Sequence, residues 1–230
     1  MMTTPQRAPT KQLYGRRKGW KLSLHQSGLV ETMLPALALK LQPGGDPKAY
    51  FNTVVEDVWL EIGFGGGEHL IGQAGANPSI GLIGAEPFIA GMAKLLSKLD
   101  AAKIANVRLY TEDARDILAA LPDGSLGRLF ILFPDPWPKT RHHKRRFIQM
   151  DMLSELARVL RPGAEFRFAT DHAAYLDYAL ERFMAHKAFS WTANRAEDWK
   201  MRPLDWPPTR FEAKAIAAGR PCAYLSFVRM

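Results

Sequence analysis

At 230 residues the chain has the length of one domain with an arm, and a 47% hydrophobic content is enough for a core. No apolar run approaches the roughly 18 residues of a membrane span, the N-terminus lacks the apolar block of a secretion signal, and one cysteine, Cys222, excludes an internal disulfide. These features point to a cytoplasmic protein with no membrane partner, and the net charge of +8 points to a polyanion.

That charge is concentrated. Residues 1–30 carry Arg7, Lys11, Arg16, Arg17, Lys18 and Lys21 and no acid; residues 136–150 carry Lys139, Arg141, Lys144, Arg145 and Arg146, again with no acid. Removing those eleven from the 31 basic residues leaves 20 against 23 acids, so two cationic segments sit on a mildly acidic body. Nucleic acid is favoured over membrane as their partner; the plainer reading is a solvated basic face.

In chain order, residues 1–25 lack helical periodicity and read as a flexible basic arm that orders on a partner. A lead-in helix over Leu29 to Leu41, stopped by Pro43-Gly44-Gly45, completes a first segment of residues 1–50. Residues 51–230 alternate strands and helices. Strands are expected at Asp57–Ile62, Ile80–Ala85, Val107–Tyr110, Arg128–Phe133, Glu165–Ala169, near Phe189–Thr192 and at Cys222–Val228. Helices are expected from about Glu68, over Phe88–Ala102, after Asp113, over Arg145–Leu160, over His172–Ala185 with Asp171 as cap, and over Arg210–Ala218. The segment Arg195–Pro208, rich in Trp and Pro, reads as a long ordered loop in which Trp199 and Trp206 pack. Such alternation predicts an α/β fold with a doubly wound, mostly parallel, seven-stranded sheet.

The most informative turn lies between the first strand and its helix, Glu61-Ile62-Gly63-Phe64-Gly65-Gly66-Gly67-Glu68. Glycines there let backbone approach a ligand, with Gly63 and Gly65 the candidate contacts. A dinucleotide fingerprint counted from Gly63 would place glycine where Glu68 stands, and the Gly-Lys-Ser/Thr of a P-loop is absent. Carboxylates at Glu61 and Glu68 repel a pyrophosphate and suit a cationic, hydroxyl-rich ligand, so S-adenosyl-L-methionine fits better than NAD or ATP.

Sheets of this kind bind ligands beyond the carboxyl ends of their strands. Four successive strands end in acids: Glu61, Glu86, Asp113 and Asp135. Glu86 stands where an acid accepts hydrogen bonds from a ribose diol; Asp113 would lie near the adenine and Glu61 near the amino-acid moiety. Taken singly, each acid also reads as a helix cap or a solvated turn.

The second informative stretch is Phe133-Pro134-Asp135-Pro136-Trp137-Pro138-Lys139, followed by Arg141, His142, His143, Lys144, Arg145 and Arg146. Prolines stiffen the exit from the fourth strand, Trp137 offers a stacking face, and the cations match phosphate-binding density. Basic residues on a first helical turn oppose the macrodipole, so local stability does not account for them. Trp137 stands where some base-amine methyltransferases have a second proline, a departure from that pattern.

With these motifs the chain, from about Val54 to Val228, resembles the bacterial tRNA (guanine-N7-)-methyltransferases that modify the variable-loop guanine. The resemblance rests on residues 61–67, Gly-Ala-Glu-Pro-Phe at 84–88, Asp113-Ala114, the block at 133–139, Thr170-Asp171, and Thr-Arg-Phe-Glu at 209–212. It implies a Rossmann-like class I methyltransferase fold, S-adenosyl-L-methionine as cofactor and tRNA as partner. It implies cofactor contacts from Glu61, Glu86, Asp113 and Asp135, with Asp135 in the active site. Lys139, Asp171, Thr209, Arg210, Phe211 and Glu212 are implied to bind substrate, and residues 141–146 to contact RNA. Arg210 stands where the family usually has lysine, which keeps the charge but changes the donor geometry.

Guanine N7 carries a free in-plane lone pair, so methylation there needs no general base, and the acids can serve placement and electrostatics. Asp135 or Asp171 would face the positive charge that develops on the purine. Thr209 and Glu212 also form a capping-box pattern. Cys222 reads as a buried thiol, and the adjacent His142 and His143 lack ligand spacing, so no metal centre is expected. A monomer or homodimer is expected. The rival readings are a nicotinamide oxidoreductase, a non-catalytic RNA-binding protein, and a methyltransferase acting on an exocyclic base amine.

Overall fold

The computed structural model describes Leu13, Tyr14, Gly19 and residues 21–230, so most of the expected basic arm lies outside the described residues. The chain runs α1 (Leu24–Thr32), α2 (Leu34–Leu37), a 3₁₀ turn (Pro47–Tyr50), β1 (Asp57–Ile62), α3 (Glu68–Ala76), β2 (Ile80–Ala85), α4 (Ile89–Ala102), β3 (Val107–Tyr110), α5 (Ala114–Ala120) and β4 (Leu126–Leu132). A second 3₁₀ turn (Thr140–Arg145) leads to α6 (Met150–Val159), β5 (Leu160–Thr170), α7 (Ala173–Ala185), β6 (Phe189–Trp191), α8 (Glu197–Lys200), α9 (Arg210–Ala217) and β7 (Ala223–Arg229).

The seven strands form one sheet in the order β3-β2-β1-β4-β5-β7-β6. β1 to β5 pair in parallel, whereas β7 runs antiparallel between β5 and β6. The strand order reverses between β1 and β4, and this opens a crevice beyond their carboxyl ends. Side chains alternate along β1: Val58, Leu60 and Ile62 enter one core with Ile117, Leu153, Leu156 and Tyr175, while Trp59 enters the other with Met92, Leu96, Phe130 and Trp206. Both faces of the sheet are therefore covered, which is why its central strands read as continuous apolar runs. No helix among the described residues is long and apolar enough to cross a membrane.

Several boundaries differ from expectation, among them β4, which starts at Leu126, and the expected loop Arg195–Pro208, which contains α8. The lead-in helix starts earlier, because Ser23 and Gln26 form a capping box, and it breaks at Met33 so that Pro35 can sit in the first turn of α2. The helix expected from Arg145 starts at Met150: residues 140–145 form the 3₁₀ turn, and Gln149 Nε2 ties off the carbonyls of His143 and Arg146. The basic cluster thus precedes the helix, whose first turn carries Asp151 instead, in keeping with the macrodipole. Arg161-Pro162-Gly163, between the helix expected to end at Leu160 and the strand expected to start at Glu165, lies within β5, where the register against β4 shifts. Asp171 does not cap α7. Its carboxylate is 2.8 Å from Arg220 Nε, and His172 takes the cap position.

Candidate active site

The glycine corner follows β1 directly. Gly63 and Gly65 have φ of 75° and 58°, a left-handed conformation that favours glycine. A Cβ on Gly65 would stand 2.7 Å from Phe211 Cε2, so the first turn of α9 closes directly onto this loop. On the other side α4 approaches as closely: a Cβ on Gly91 would stand 2.3 Å from the Gly65 carbonyl oxygen. Lys98, also on α4, donates to Gly66 O (2.6 Å) and to Glu68 Oε1 (2.7 Å). The loop is therefore clamped between two helices that sequence reading did not connect to it.

The four strand-end acids occupy one edge of the sheet, on the adjacent strands β3, β2, β1 and β4, but their environments differ. Glu86 is 8% exposed and accepts from Gly65 N–H (2.7 Å) and Phe88 N–H (2.9 Å). Burial pushes its carboxyl above the usual range and the neighbouring Asp135 charge adds to this, against the pull of the two N–H donors and Arg210. Glu86 and Asp135 therefore share one electrostatic space at the crevice. Asp135 is exposed and makes no hydrogen bond or ion pair among the described residues. Its backbone is held by the left-handed residues on either side, Phe133 (φ 51°) and Trp137 (φ 43°). Such conformations cost on the order of 1–3 kcal/mol each and cluster at functional sites.

Glu61 is 2% exposed, and His69 Nδ1 lies 2.8 Å from its Oε2. Asp113 caps α5 by accepting from Arg115 N–H (3.0 Å), and the Arg115 side chain also donates to it from Nε (2.9 Å). Its carboxylate is thus bound locally, as the cap reading anticipated. Glu68 is not a free acid of the cradle. Burial raises its carboxyl, but Lys98 and then Arg210 outweigh this and hold it below its ordinary value.

The cationic turn divides in two. Lys139, Arg141 and Lys144 are exposed, and His142 and His143 half-buried. Arg145 lies between rings, its guanidinium carbon 4.9 Å from the Trp137 centroid and 4.6 Å from that of Tyr14. Arg146 departs from the expectation of an RNA contact. It is 2% exposed, donates to Pro136 O and Ala174 O, and faces Tyr175 and Tyr178. It fixes the turn from inside.

The segment 209–212 also divides. Thr209 and Glu212 close the capping box of α9, and Glu212 further takes Arg202 (2.9 Å) and the Tyr224 hydroxyl. These contacts leave Arg210 and Phe211 as the residues turned onto the glycine loop, where Phe211 is 41% exposed. Trp206 is buried, as expected of a packing residue, and burial raises the Cys222 thiol, which is therefore no ready nucleophile. Sequence reading passed over Lys98, Arg202, Arg220 and Tyr224, for which no local pattern exists. His69 carried a signal: a histidine in an apolar helix one turn past the glycines. A cavity of about 540 Å³ lies elsewhere, at the amino ends of the parallel strands, lined by Gly124, Ser154, Arg158, His186 and Arg229. None of the four strand-end acids lines it.

A family model described as "Putative methyltransferase" matches residues 55–225. A tRNA (guanine-N(7)-)-methyltransferase of Rhodospirillum rubrum is 52% identical over 223 residues, covering 95% of this chain and 88% of its own. One from Azorhizobium caulinodans is 50% identical over 217 residues, covering 94% of each. Among solved structures, the 16S rRNA methyltransferase KamB matches with a TM-score of 0.60 at 18% identity, covering 84% of this chain and 98% of its own. The 16S rRNA (adenine(1408)-N(1))-methyltransferase from Catenulisporales acidiphilia matches with a TM-score of 0.55 at 20% identity, covering 84% and 97%. At such identities the two structures speak for the fold alone.

Proposed function

The chain belongs to the tRNA (guanine-N(7)-)-methyltransferase family, and from that premise we propose that it transfers a methyl group from S-adenosyl-L-methionine to N7 of a guanine in the variable loop of tRNA. What carries the reading is that the kinship spans nearly the whole chain, covering both the acid-lined crevice and the cationic turn beside it. The residues present fit the cofactor. A buried carboxylate, Glu86, has backbone donors but no ion pair among the described residues, as an acceptor for a diol requires, and the glycine corner leaves no Cβ in the way. When bound, the cofactor supplies an electrophilic methyl group on a sulfonium.

The protein's task is then placement and charge. Guanine N7 is an acceptor with no proton to lose, so no side chain need act as base. Asp135, unpaired among the described residues, faces the charge that appears on the purine as its lone pair is committed. Phe211 and Arg210 flank the glycine loop where a base would enter, while Lys139, Arg141, Lys144 and Arg145 supply phosphate contacts. Mapping the methyl group on transcribed tRNA tests the reaction. Chain cleavage specific for N7-methylguanine at the variable loop is expected; methyl incorporation without such cleavage would sink the assignment.

The raised carboxyl of Glu86 gives a pH signature. Its ionised form is the diol acceptor, so affinity for S-adenosylhomocysteine should weaken as pH falls through a value above the roughly 4.3 of an ordinary glutamate. Stability runs the other way: the native state keeps this proton to higher pH than the unfolded chain, so the contribution is present at low pH and lost as pH rises through the native value. Calorimetric titrations across pH check the first trend, and Glu86→Gln should both weaken binding and flatten its pH dependence.

A further inference from the structure

We propose that His69 is a positioning residue that holds the Glu61 carboxylate in one orientation for the cofactor's ammonium group; the inference rests on the assignment of Glu61 to the cofactor's amino-acid moiety. His69 stands in the first turn of α3 with 1% exposure, and Glu61 at the end of β1 with 2%. Glu61 has no other side-chain partner among the described residues. A carboxylate this deeply withdrawn from water needs its hydrogen bonds fixed, because an unmade one is expensive.

The direction of the bond follows from a relay. Gln73 Nε2 is 2.6 Å from the Asp205 carbonyl oxygen, and only an amide nitrogen can donate there, so the amide orientation is set. The same nitrogen lies 3.3 Å from His69 Nε2 and donates to it. His69 Nε2 is therefore the acceptor, the ring proton sits on Nδ1, and Nδ1–H donates to Glu61 Oε2 at 2.8 Å. The ring itself is fixed edge-on between Phe130 and Trp206, with centroids 4.6 Å and 6.4 Å away. One oxygen of Glu61 is thereby committed, which leaves Oε1 to receive an ammonium. If packing between two aromatic rings were the whole role, phenylalanine would fill the position without a polar group to satisfy.

Two substitutions separate the roles. His69→Phe keeps the ring and deletes the donor; His69→Asn deletes the ring and keeps a donor near the place of Nδ1. On the full chain, His69→Phe should weaken S-adenosylhomocysteine binding about tenfold or more, the size expected for a hydrogen bond to a charged group. It should raise KM for S-adenosylmethionine while leaving KM for tRNA unchanged, and His69→Asn should recover most of the loss. Should His69→Phe fail to fold, His69→Gln, whose donor sits at the place of Nε2, is expected to lose affinity in its stead. Wild-type affinity in the Phe variant, or an Asn variant weaker than it, overturns the proposal. Glu61→Gln distinguishes the two levels: if it binds S-adenosylhomocysteine as the unaltered chain does, the cofactor assignment of Glu61 fails and the proposal falls with it. If it binds weakly while His69→Phe does not, the proposal fails alone.

Discussion

Asp135→Asn should lower kcat on the order of 10²-fold, the loss typical of deleting one preorganised electrostatic contact to a transition state. The substituted amide keeps the shape and removes the charge that the proposed mechanism turns toward the methylated purine. Because Asp135 is exposed and unpaired among the described residues, the melting temperature should hold, as for an ordinary surface change within about 0.5 kcal/mol. A second readout is independent of turnover. The Asp135 charge helps keep the Glu86 carboxyl high, so its removal should shift the pH midpoint of S-adenosylhomocysteine binding downward. Unchanged kcat would take Asp135 out of the mechanism; reduced kcat with an unmoved midpoint would separate the two acids in space.

Gly91→Ala should be the most damaging small substitution at the crevice, and the sign is opposite to what helix propensity suggests. Gly91 is helical and buried, and glycine to alanine in a helix ordinarily gains about 0.8–1 kcal/mol. Here the new Cβ would stand 2.3 Å from the Gly65 carbonyl, a backbone atom that cannot rotate away. Either α4 or the glycine loop must move, at the roughly 1–3 kcal/mol of an overpacked core. Because the same loop donates Gly65 N–H to Glu86, cofactor affinity should fall more than tenfold along with the melting temperature. Gly75→Ala in α3 is the control: its Cβ would meet only Ile104 Cδ1 at 3.5 Å, so this variant should be stabilised. If Gly91→Ala melts higher and binds normally, the close approach of α4 to the loop is wrong.

Much of this site was legible from local pattern. The strand-glycine-helix corner, the acid after each of four strands, and the Thr209–Glu212 box all depend on neighbours within a few residues, and the structure places each where the pattern puts it. The misreadings at the site, unlike the two shifted helix starts, involve partners distant in the chain. Arg146 looks like one more surface cation until Tyr175 and Tyr178, some thirty residues on, enclose it. Asp171 reads as a cap because nothing nearby announces Arg220, and Glu68 reads as a free acid because Lys98 lies a helix away. The reversed direction of β7 has no local signature either, since an apolar strand of seven residues looks the same in both senses.

The cationic turn has a thermodynamic side of its own. Partial desolvation and then the charges of Arg145, Arg141, Lys139 and Lys144 hold the His142 imidazole below its ordinary value, so like charges are crowded around it. Arg146, turned inward, is not among the charges that act on His142. The free protein therefore carries a repulsion that dissolved ions relieve, while the proposed complex with tRNA would depend on an attraction that the same ions weaken. Raising ionic strength acts on one surface with two signs, steadying the idle enzyme as it loosens the working one.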